Sequence, residues 1–493
     1  MTRFLTKRRL WLMAAAFSLL VLAGAVAGRV YLAGWAIGAA LKSAGASEVR
    51  FEVAQATPWR VVVQDLAFLL RLQPFAAREV TMERAHWWTP SLGKVRVAQA
   101  RATLPVDALA GKTPASAAAP AGGPGRLPIE EISIDGQLVL QAAGAPDQTL
   151  TVTLAAKPAA KDRWSGNMTV TAPGLAVKGE GSFNTTSGDL AFALPEIALD
   201  LKIWQGFLQR VVPLPPDEWE LEGKFTGDIS GRLVGGNFSA GGRLQLREGR
   251  GVSTAQAITA EGVEAEVEFI DFAQMTSKPG ALRIRELRTG QLTLRDLRWR
   301  FALAGPDLVE VSEVTLETLG GRVSAEPFKL APSRAELDAV LLVDGLDVEE
   351  VLALTKDLPA KATGRVNGRL PVRIARDGLK FGFGWLELKP GVRADVQFNA
   401  KGLLTGGASS SRPGYAVLQK VESGLQKVRL DELRLDIHPP NAPEGRSAQL
   451  HLKGEPEGAE IKMPITLDLN VNGPVEKLLN LGLDSRVSFG TGK

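Results

Sequence analysis

Apolar and polar residues alternate along most of the chain after residue 46, with the period of two that indicates β-strands. The alternation is clear in Leu150–Leu154, Leu297–Leu303 and Ile465–Val471. Glycine-containing pairs such as Asp135-Gly136 and Gly320-Gly321 separate many of these runs and mark turns. The pattern predicts a mainly β protein whose antiparallel sheet has one apolar face and one polar face.

One local unit recurs, in which apolar residues occupy the first, third, sixth and eighth positions of a short window. It is found at Val61–Phe68, Leu292–Trp299, Val309–Leu316 and Val428–Leu435. The spacing of three between the third and sixth positions would turn the later side chains to the other face. Keeping one apolar face therefore requires a bulge or a tight turn at this step of three. Its recurrence favours one repetitive sheet over several unrelated domains. At roughly 14 residues per strand and turn, the body would contain about 30 strands.

Helical patterns are few and short. Ile203–Val212 has apolar residues on one helical face and ends before prolines. Asp347–Leu358 begins with an N-cap aspartate, with a glutamate three residues later. A third helix is expected at Val475–Leu481. Each helix either covers an end of the sheet or gates a groove.

The N-terminus has the pattern of a membrane segment. An apolar run, Leu10–Gly28, is about long enough to cross roughly 30 Å of hydrocarbon as a helix. Four cations that precede it would stay in the cytoplasm and set the topology: Arg3, Lys7, Arg8 and Arg9. We take as membrane-anchor residues Leu10, Trp11, Leu20 and Val26. The alternative is a cleaved secretory signal, because Ala25-Val26-Ala27 resembles a cleavage site. Both interpretations place residues 47–493 outside the cytoplasm.

Besides Trp11, four tryptophans lie within the first ninety residues, namely Trp35, Trp59, Trp87 and Trp88. Such rings favour the membrane–water interface, which would put this part of the chain on the outer leaflet of the inner membrane. For the last three, ordinary packing in a sheet is an equal alternative.

Composition narrows the class of protein. There is no cysteine, so neither disulfides nor thiolate metal sites can form. The 58 Lys and Arg residues against 54 Asp and Glu give a net charge of +4, which argues against nucleic acid as the main partner. With only 2 tyrosines, the apolar content is mostly aliphatic.

Catalytic motifs are absent from the sequence: it has no Walker loop, no Gly-x-Ser-x-Gly and no His-Glu-x-x-His. His438 and His451 flank a proline-rich connection, and alternation with apolar neighbours predicts that they lie on the polar face. We therefore expect no catalytic, metal-binding or cofactor-binding residues and no enzymatic activity.

The C-terminal third resembles a known family. Residues 346–391, which include the run Gly-Arg-Val-Asn-Gly-Arg-Leu-Pro, are similar to the AsmA-like proteins of Gram-negative bacteria. Residues 430–437, 448–454 and 465–488 look like the end of the YdbH family, with Leu-Asn-Val-Asn-Gly followed by a Leu-Leu helix. The resemblance covers about residues 345–490. It implies a single N-terminal transmembrane helix followed by an elongated, curled, mostly antiparallel β-sheet groove with a few short helices.

The family implies an inner-membrane anchored, periplasmic protein that carries phospholipids to the outer membrane along this groove and supports lipid homeostasis there. An aliphatic lining suits acyl chains, which need apolar contact without directional hydrogen bonds. The expected groove residues are Leu292, Leu294, Leu297, Trp299, Phe301, Val309, Val311, Val314, Leu316, Leu430, Leu433 and Leu435. The alternatives are a periplasmic scaffold for outer-membrane protein assembly with a closed β core, or an enzyme on envelope glycans or lipids.

The family also suggests a partner, a small outer-membrane lipoprotein that extends the sheet. An open edge strand near the C-terminus would be a template for β-augmentation, with side chains Ile465, Leu467, Leu469 and Val471. Phospholipids and the inner membrane are the other expected partners, and nucleic acid is not one.

The expected organisation has seven segments. Residues 1–9 are the cytoplasmic flank, 10–28 the anchor and 29–46 a juxtamembrane segment. Residues 47–112 form an N-terminal β region, which an Ala/Pro-rich linker or loop at 113–124 joins to a central β region at 125–345. Residues 346–493 form the C-terminal β region and contain a second flexible stretch, Gly406–Gly414.

Overall fold

The computed structural model of the chain is mainly β. It describes residues 28–43, 45–70, 73–85, 92–105, 129–142, 144–160, 162–211, 219–255, 257–290, 292–334, 336–353, 360–375, 378–398, 414–439, 447–457 and 464–471. These residues contain 27 strands, close to the predicted number. The chain divides into two compact units, one of Met1–Leu199, Gly206–Val212 and Gly227–Ser239, and one of Asp200–Gln205, Pro213–Thr226 and Ala240–Lys493.

The first unit contains a sheet in which nine strands pair in chain order. The strands are β1 Ala46–Ala56, β2 Arg60–Leu70, β3 Gln73–Arg84, β4 Leu92–Pro105, β5 Ile129–Gln141, β6 Gln148–Ala160, β7 Arg163–Ala172, β8 Leu175–Asn184 and β9 Leu190–Asp200. Every pairing among them is antiparallel except the one between β4 and β5. A helix at residues 28–43, α1, precedes β1.

The parallel pairing locates the Ala/Pro-rich segment in the fold. Leu92 pairs with Ile129 and Pro105 with Gln141, so residues 106–128 connect the end of β4 to the start of its direct neighbour. A parallel neighbour requires the chain to return along a whole strand, about 45 Å for β4, and so needs a long connection. The predicted linker at 113–124 therefore joins two adjacent strands of one sheet.

The second unit contains the strands β11 Asn237–Ser253, β12 Ile258–Asp271, β13 Thr276–Ser277, β14 Gly280–Thr289, β15 Leu292–Gly305, β16 Leu308–Thr318, β17 Gly321–Ala325, β18 Phe328–Leu330, β19 Leu337–Asp347, β20 Ala360–Thr363, β21 Arg365–Ala375, β22 Gly378–Phe381, β23 Gly384–Leu388, β24 Ala394–Phe398, β25 Val428–Ile437, β26 Ala448–Pro456 and β27 Ile465–Val471. The first three residues of β11 belong to the first unit, and β10 (Glu220–Val234) and α2 (Leu201–Val211) are each divided between the units.

Pairing in the second unit is antiparallel and follows the chain with short interruptions. β11, β12, β14, β15 and β16 pair in that order. The short strands β17 and β18 together occupy the place between β16 and β19. β21 follows β19, β23 and β24 lie beside β25, and β26 and β27 end the described sheet.

The predicted interruptions in the strands are confirmed. Between Val63 and Leu66, Asp65 has a φ of 49°, and between Leu294 and Leu297, Asp296 has a φ of 46°. Both aspartates have left-handed backbones, which reset the side-chain alternation. In the other two sequence windows, Val309–Leu316 and Val428–Leu435, a bulge shifts the strand register. One bulge lies between Val311 and Glu313, and the other between Leu430 and Glu432. The apolar side chains before and after each step thus keep one face.

Two of the three predicted helices lie in described residues. α2 (Leu201–Val211) buries Trp204 and Phe207. In α3 (Val348–Ala353), the Asp347 side chain accepts a hydrogen bond from the Glu349 backbone at 2.9 Å, as expected of an N-cap. The third predicted helix, at 475–481, lies outside the described residues. A helix that the sequence pattern did not indicate, α4, covers Tyr415–Leu425, and a 3₁₀ turn covers Pro332–Arg334.

Each unit has its own buried apolar core. In the first unit, α1 packs Ile37 and Leu41 against a cluster on β2 and β3 that consists of Val63, Leu66, Ala77 and Val80. In the second unit a larger cluster includes Val323, Val343, Leu346, Val348, Ala362, Val366, Leu386, Ala394, Val396, Val428, Leu430 and Leu452.

Candidate functional site: the apolar face of the sheet

One face of the first unit's sheet is apolar across all the strands from β2 to β8. Cross-strand partners share a face, so the register groups side chains into rows. One row consists of Val63, Val80, Val97, Ile134, Leu154 and Met168. The next row consists of Leu66, Ala77, Ala100, Gly136, Val152, Val170 and Val177. The apolar surface therefore continues across the parallel pairing of β4 and β5.

The two ends of this face differ in how far protein covers them. Val63, under α1, is 1% exposed, and its cluster is buried. Further along the same rows, Val152, Met168 and Val177 are only half-buried. A side chain in a closed core would lose nearly all contact with water. Although Leu150 of β6 is buried, the face around Val152, Met168 and Val177 therefore remains partly accessible to a ligand.

In the second unit, the register places the predicted residues of β15 and β16 on one face. Trp299 pairs with Val314, Phe301 with Val311, and the β15 residue Leu303 with Val309. Leu292, Leu294 and Leu297 lie along the same strand and pair with Thr289, Leu287 and Ile284 of β14. Apart from Val311, which is 2% exposed, these predicted residues are half-buried.

Trp299 has a polar atom without a partner on this face. Its Nε1 is buried and, within the described residues, has no hydrogen-bond acceptor. Its ring meets the ring of Phe301 edge-on, with centroids 6.2 Å apart. A buried indole N–H normally finds an acceptor, so the unpaired Nε1 makes this position unusual in the described part of the chain.

The remaining predicted residues lie in a closed part of the structure. Leu430 is 5% exposed within the large cluster, and three other predicted residues pack against that cluster: Leu316, Leu433 and Leu435. The structure thus brings these four together, but as a protein core. The β15–β16 residues and these leucines form two different environments, one half-open and one closed.

Sequence reasoning did not name the β5–β8 part of the face as a site. Its alternation is visible at Leu150, Val152 and Leu154. On β7 and β8 the signal weakens because Gly166, which pairs with Gly181, replaces a large apolar residue on this face. Only the cross-strand register identifies those positions as members of the rows.

In each unit, the sheet face opposite the apolar rows carries charged side chains in cross-strand pairs. Lys178 pairs with Glu196 at 2.6 Å, and Lys329 with Glu310 at 2.8 Å. Hydrogen bonds from Arg298 and Arg283 lower the pKa of the Asp296 carboxyl. Likewise, the hydrogen bond from Lys389 lowers the pKa of Asp344. These exposed pairs are typical of a solvated surface, so the polar face is the one turned to water.

The histidines do not come together as a pair. His438 follows β25 and its backbone N–H donates to Ser447, whereas His451 lies opposite Asp468, with Nδ1 and Oδ1 2.6 Å apart. No group of three potential metal-ligating side chains was found among the described residues.

The candidate edge strand β27 pairs with β26, and it has no strand on its other side in the described part of the chain. Ile465 and Leu467 pack against the large cluster. Leu469 pairs with Leu450 and Val471 with Ala448 through their backbones.

The predicted anchor residues Leu10, Trp11, Leu20 and Val26 and topology residues Arg3, Lys7, Arg8 and Arg9 lie outside the described residues. Within the described ranges, no helix is both long and apolar enough to span a membrane.

Comparison with known proteins gives one finding. The family model YdbH-like, described as "Intermembrane phospholipid transport protein YdbH", matches residues 83–391. This range covers the half-open rows on β5 to β8 and on β15 and β16. No curated protein and no solved structure matches the chain significantly.

Proposed function

The chain belongs to the YdbH-like family of intermembrane phospholipid transport proteins, and we propose that its apolar face is the surface along which phospholipids move. The observation that carries this proposal is the half-exposed apolar row that crosses consecutive strands, represented by Leu154 and Met168. Ordinary soluble domains bury such a face against a second layer. A face left half-open needs an apolar partner, and an acyl chain supplies one.

The energetics suit acyl chains. Each buried CH₂ group is worth about 0.8 kcal/mol, so a row of aliphatic side chains offsets much of the cost of removing a lipid from a bilayer. Aliphatic walls make no directional demand, so a lipid can slide from one strand to the next. Transfer of this kind needs no catalytic residue, and we propose that the protein is not an enzyme.

We further propose that the protein is a single-pass protein of the bacterial inner membrane. The apolar run Leu10–Gly28 and the four cations before it support an N-terminus in the cytoplasm and a body in the periplasm. In that position the sheet would carry phospholipids between the inner and outer membranes and support lipid homeostasis of the outer membrane. Protease treatment of spheroplasts tests this topology, because a periplasmic body would be digested without lysis.

Photo-crosslinking tests the lipid path directly. A benzophenone amino acid at Met168 would point into the apolar face, whereas the same group at Asn167 would point to the polar face. In the full-length protein inside cells, we expect phospholipid adducts at position 168 and few at position 167. If lipid adducts at both positions are equally rare and no more frequent than background, transport along this face is contradicted and the scaffold with a closed core is favoured.

We also propose that β27 receives a partner strand from a small outer-membrane lipoprotein. An edge strand with free backbone groups is a template for β-augmentation. Thr466 lies on the edge strand β27. In the same cross-strand row, Lys453 lies on β26 and Glu432 on β25, so Glu432 is two strands inside the sheet. A crosslinker at Thr466 should yield a lipoprotein adduct that the same group at Glu432 does not. Identical adducts at both positions, or none at Thr466, would contradict this partner.

A further inference from the structure

The helix α1 packs one side against protein, and it exposes large apolar residues along its first two turns. Its inner side places Ile37 and Leu41 on the buried cluster of β2 and β3. Gly34 and Gly38 lie on the same side, and a Cβ at either would be 3.5 to 3.8 Å from Val53 or Phe51 of β1. This inner side fixes the position of the helix on the sheet.

The first two turns of α1 expose large apolar residues to solvent. Tyr31 is 79% exposed and Trp35 is 70% exposed, and Val30 and Leu32 are exposed beside them. Tyr31 is one of only 2 tyrosines in the chain. Aromatic residues on an exposed helix face are costly in water and are enriched where membranes meet water.

A further exposed tryptophan belongs to the same end of the unit. Gly38 is nearest to Phe51, whereas Gly34 is nearest to Val53, so α1 runs antiparallel to β1. The first residues of α1 therefore lie toward the end of β1, beyond which Trp59 stands in the β1–β2 turn, 61% exposed. We call these five residues the apolar collar: Val30, Tyr31, Leu32, Trp35 and Trp59.

The chain that precedes α1 indicates what covers the collar. The apolar run Leu10–Gly28 leads directly into the first turn of α1, so the collar lies where this run joins the sheet. We propose that the collar docks into the outer surface of a phospholipid bilayer, with its rings at the headgroup level. This inference rests on the proposed function, because it needs Leu10–Gly28 to be embedded in the same bilayer.

This docking would set the distance between the bilayer and the apolar face. With its first two turns at the bilayer surface and its inner side on Val63 and Leu66, α1 would hold the first unit's sheet close to the bilayer.

The absence of cysteine allows a direct test, because single-cysteine variants can be labelled without background. Full-length protein with an environment-sensitive fluorophore at position 31, 35 or 59 would be reconstituted into phosphatidylethanolamine–phosphatidylglycerol vesicles with brominated acyl chains. Matched controls are Lys42→Cys, further along the same helix, and Asn167→Cys, on the polar face of β7. Both control positions are exposed.

We expect the brominated lipid to reduce fluorescence at Tyr31→Cys and Trp35→Cys by about twofold or more. The reduction should be smaller at Lys42→Cys and close to zero at Asn167→Cys. Quenching at positions 31, 35 and 59 no greater than at 167, in protein that floats with the vesicles, would overturn the collar and leave the anchor and transport standing. Protein that does not float with vesicles would overturn both collar and anchor, and the crosslinks at position 168 would still decide transport separately.

Discussion

Arg365 holds the backbone of Gly345 in place. Its Nη1 donates to the Gly345 carbonyl at 3.1 Å and to the Gly320 carbonyl at 2.8 Å. Both glycines have a φ of 68°, which a side chain would strain. Asn367 completes the arrangement by accepting the Gly345 N–H at 2.9 Å. The Gly-Arg-Val-Asn-Gly-Arg run thus has a structural role, since it fixes the turn between β16 and β17 and the irregularity in β19 against β21.

We expect Arg365→Ala to lower the melting temperature of the purified protein and to reduce its free energy of unfolding by about 1 kcal/mol, because two charge-assisted hydrogen bonds to carbonyls disappear. Arg369→Ala is the matched control: Arg369 also donates two hydrogen bonds, but to the exposed Glu326 side chain, so its loss should cost less. A loss at Arg369→Ala as large as at Arg365→Ala would refute the structural role of Arg365.

The left-handed backbone at Asp65 gives a second prediction. Asp65→Val puts a β-branched side chain at a φ of 49° and should destabilise the protein by about 1–2 kcal/mol. Asp65→Gly removes the side chain that the left-handed conformation disfavours and should cost less. Gln64→Val, at the neighbouring exposed position of the strand, should have little effect. Chemical unfolding of the three variants measures their free energies of unfolding. Equal effects of Asp65→Val and Gln64→Val would contradict a special backbone requirement at Asp65.

Local rules explain what the sequence predicted well. The period of two and the step of three depend only on neighbouring residues, so both the one-sided strands and the bulge sites at Asp65 and Asp296 were predicted correctly. The register then placed Trp299 and Val314 on one face, as expected.

Features that depend on distant contacts were not predictable. The parallel pairing of β4 with β5 joins strands separated by residues 106–128, and no local pattern specifies it. The helix α4 begins after Gly414, which has a φ of 93° and makes no side-chain cap, so the usual start signal is missing. Whether a leucine such as Leu430 lines an open face or a closed core depends on what packs over it.

Replacement by alanine should change the stability of the protein in opposite directions at two glycines. A Cβ at Gly136 would lie 2.5 Å from the Ala100 carbonyl oxygen across the parallel pairing, so Gly136→Ala should cost about 1–3 kcal/mol. Gly206, in the middle of α2, has open space around its Cβ position. Gly206→Ala should therefore stabilise the protein by about 0.5–1 kcal/mol. Melting temperatures check both, and a neutral Gly136→Ala would argue against the close parallel pairing.

A charge on the apolar face should remove lipid without unfolding the protein. Because Met168 is half-buried, a carboxylate at Met168→Asp can stay hydrated, yet it forces any passing acyl chain away. We expect the phospholipid recovered per chain, measured by mass spectrometry, to fall by about tenfold, which corresponds to about 1.4 kcal/mol. Asn167→Asp, on the polar face, should retain its lipid. Equal recovery from both variants at matched melting temperature would contradict the lipid path.

The carboxyl of Glu457 gives a prediction about pH. Arg429 and Arg393 donate to its Oε1 at 3.0 and 2.9 Å, and Lys427 lies beside its Oε2. The hydrogen bonds from Lys427 and Arg429 lower the pKa of Glu457 to about 2. A carboxyl whose pKa is lower in the folded state stabilises that state above its unfolded pKa, near 4.5. This stability is lost as pH falls through about 2.

We therefore expect Glu457→Gln to lower the melting temperature by a constant amount between about pH 5 and pH 7, where Glu457 is ionised in both states. Below about pH 4.5 the difference from the unsubstituted protein should shrink, because the unfolded chain binds a proton that the folded chain does not. The control is Glu455→Gln, which changes the exposed residue opposite Arg429 and should show a smaller effect. A difference that stays the same from pH 7 to pH 3 would mean that Glu457 acts through packing, because only an ionic interaction is removed by protonation.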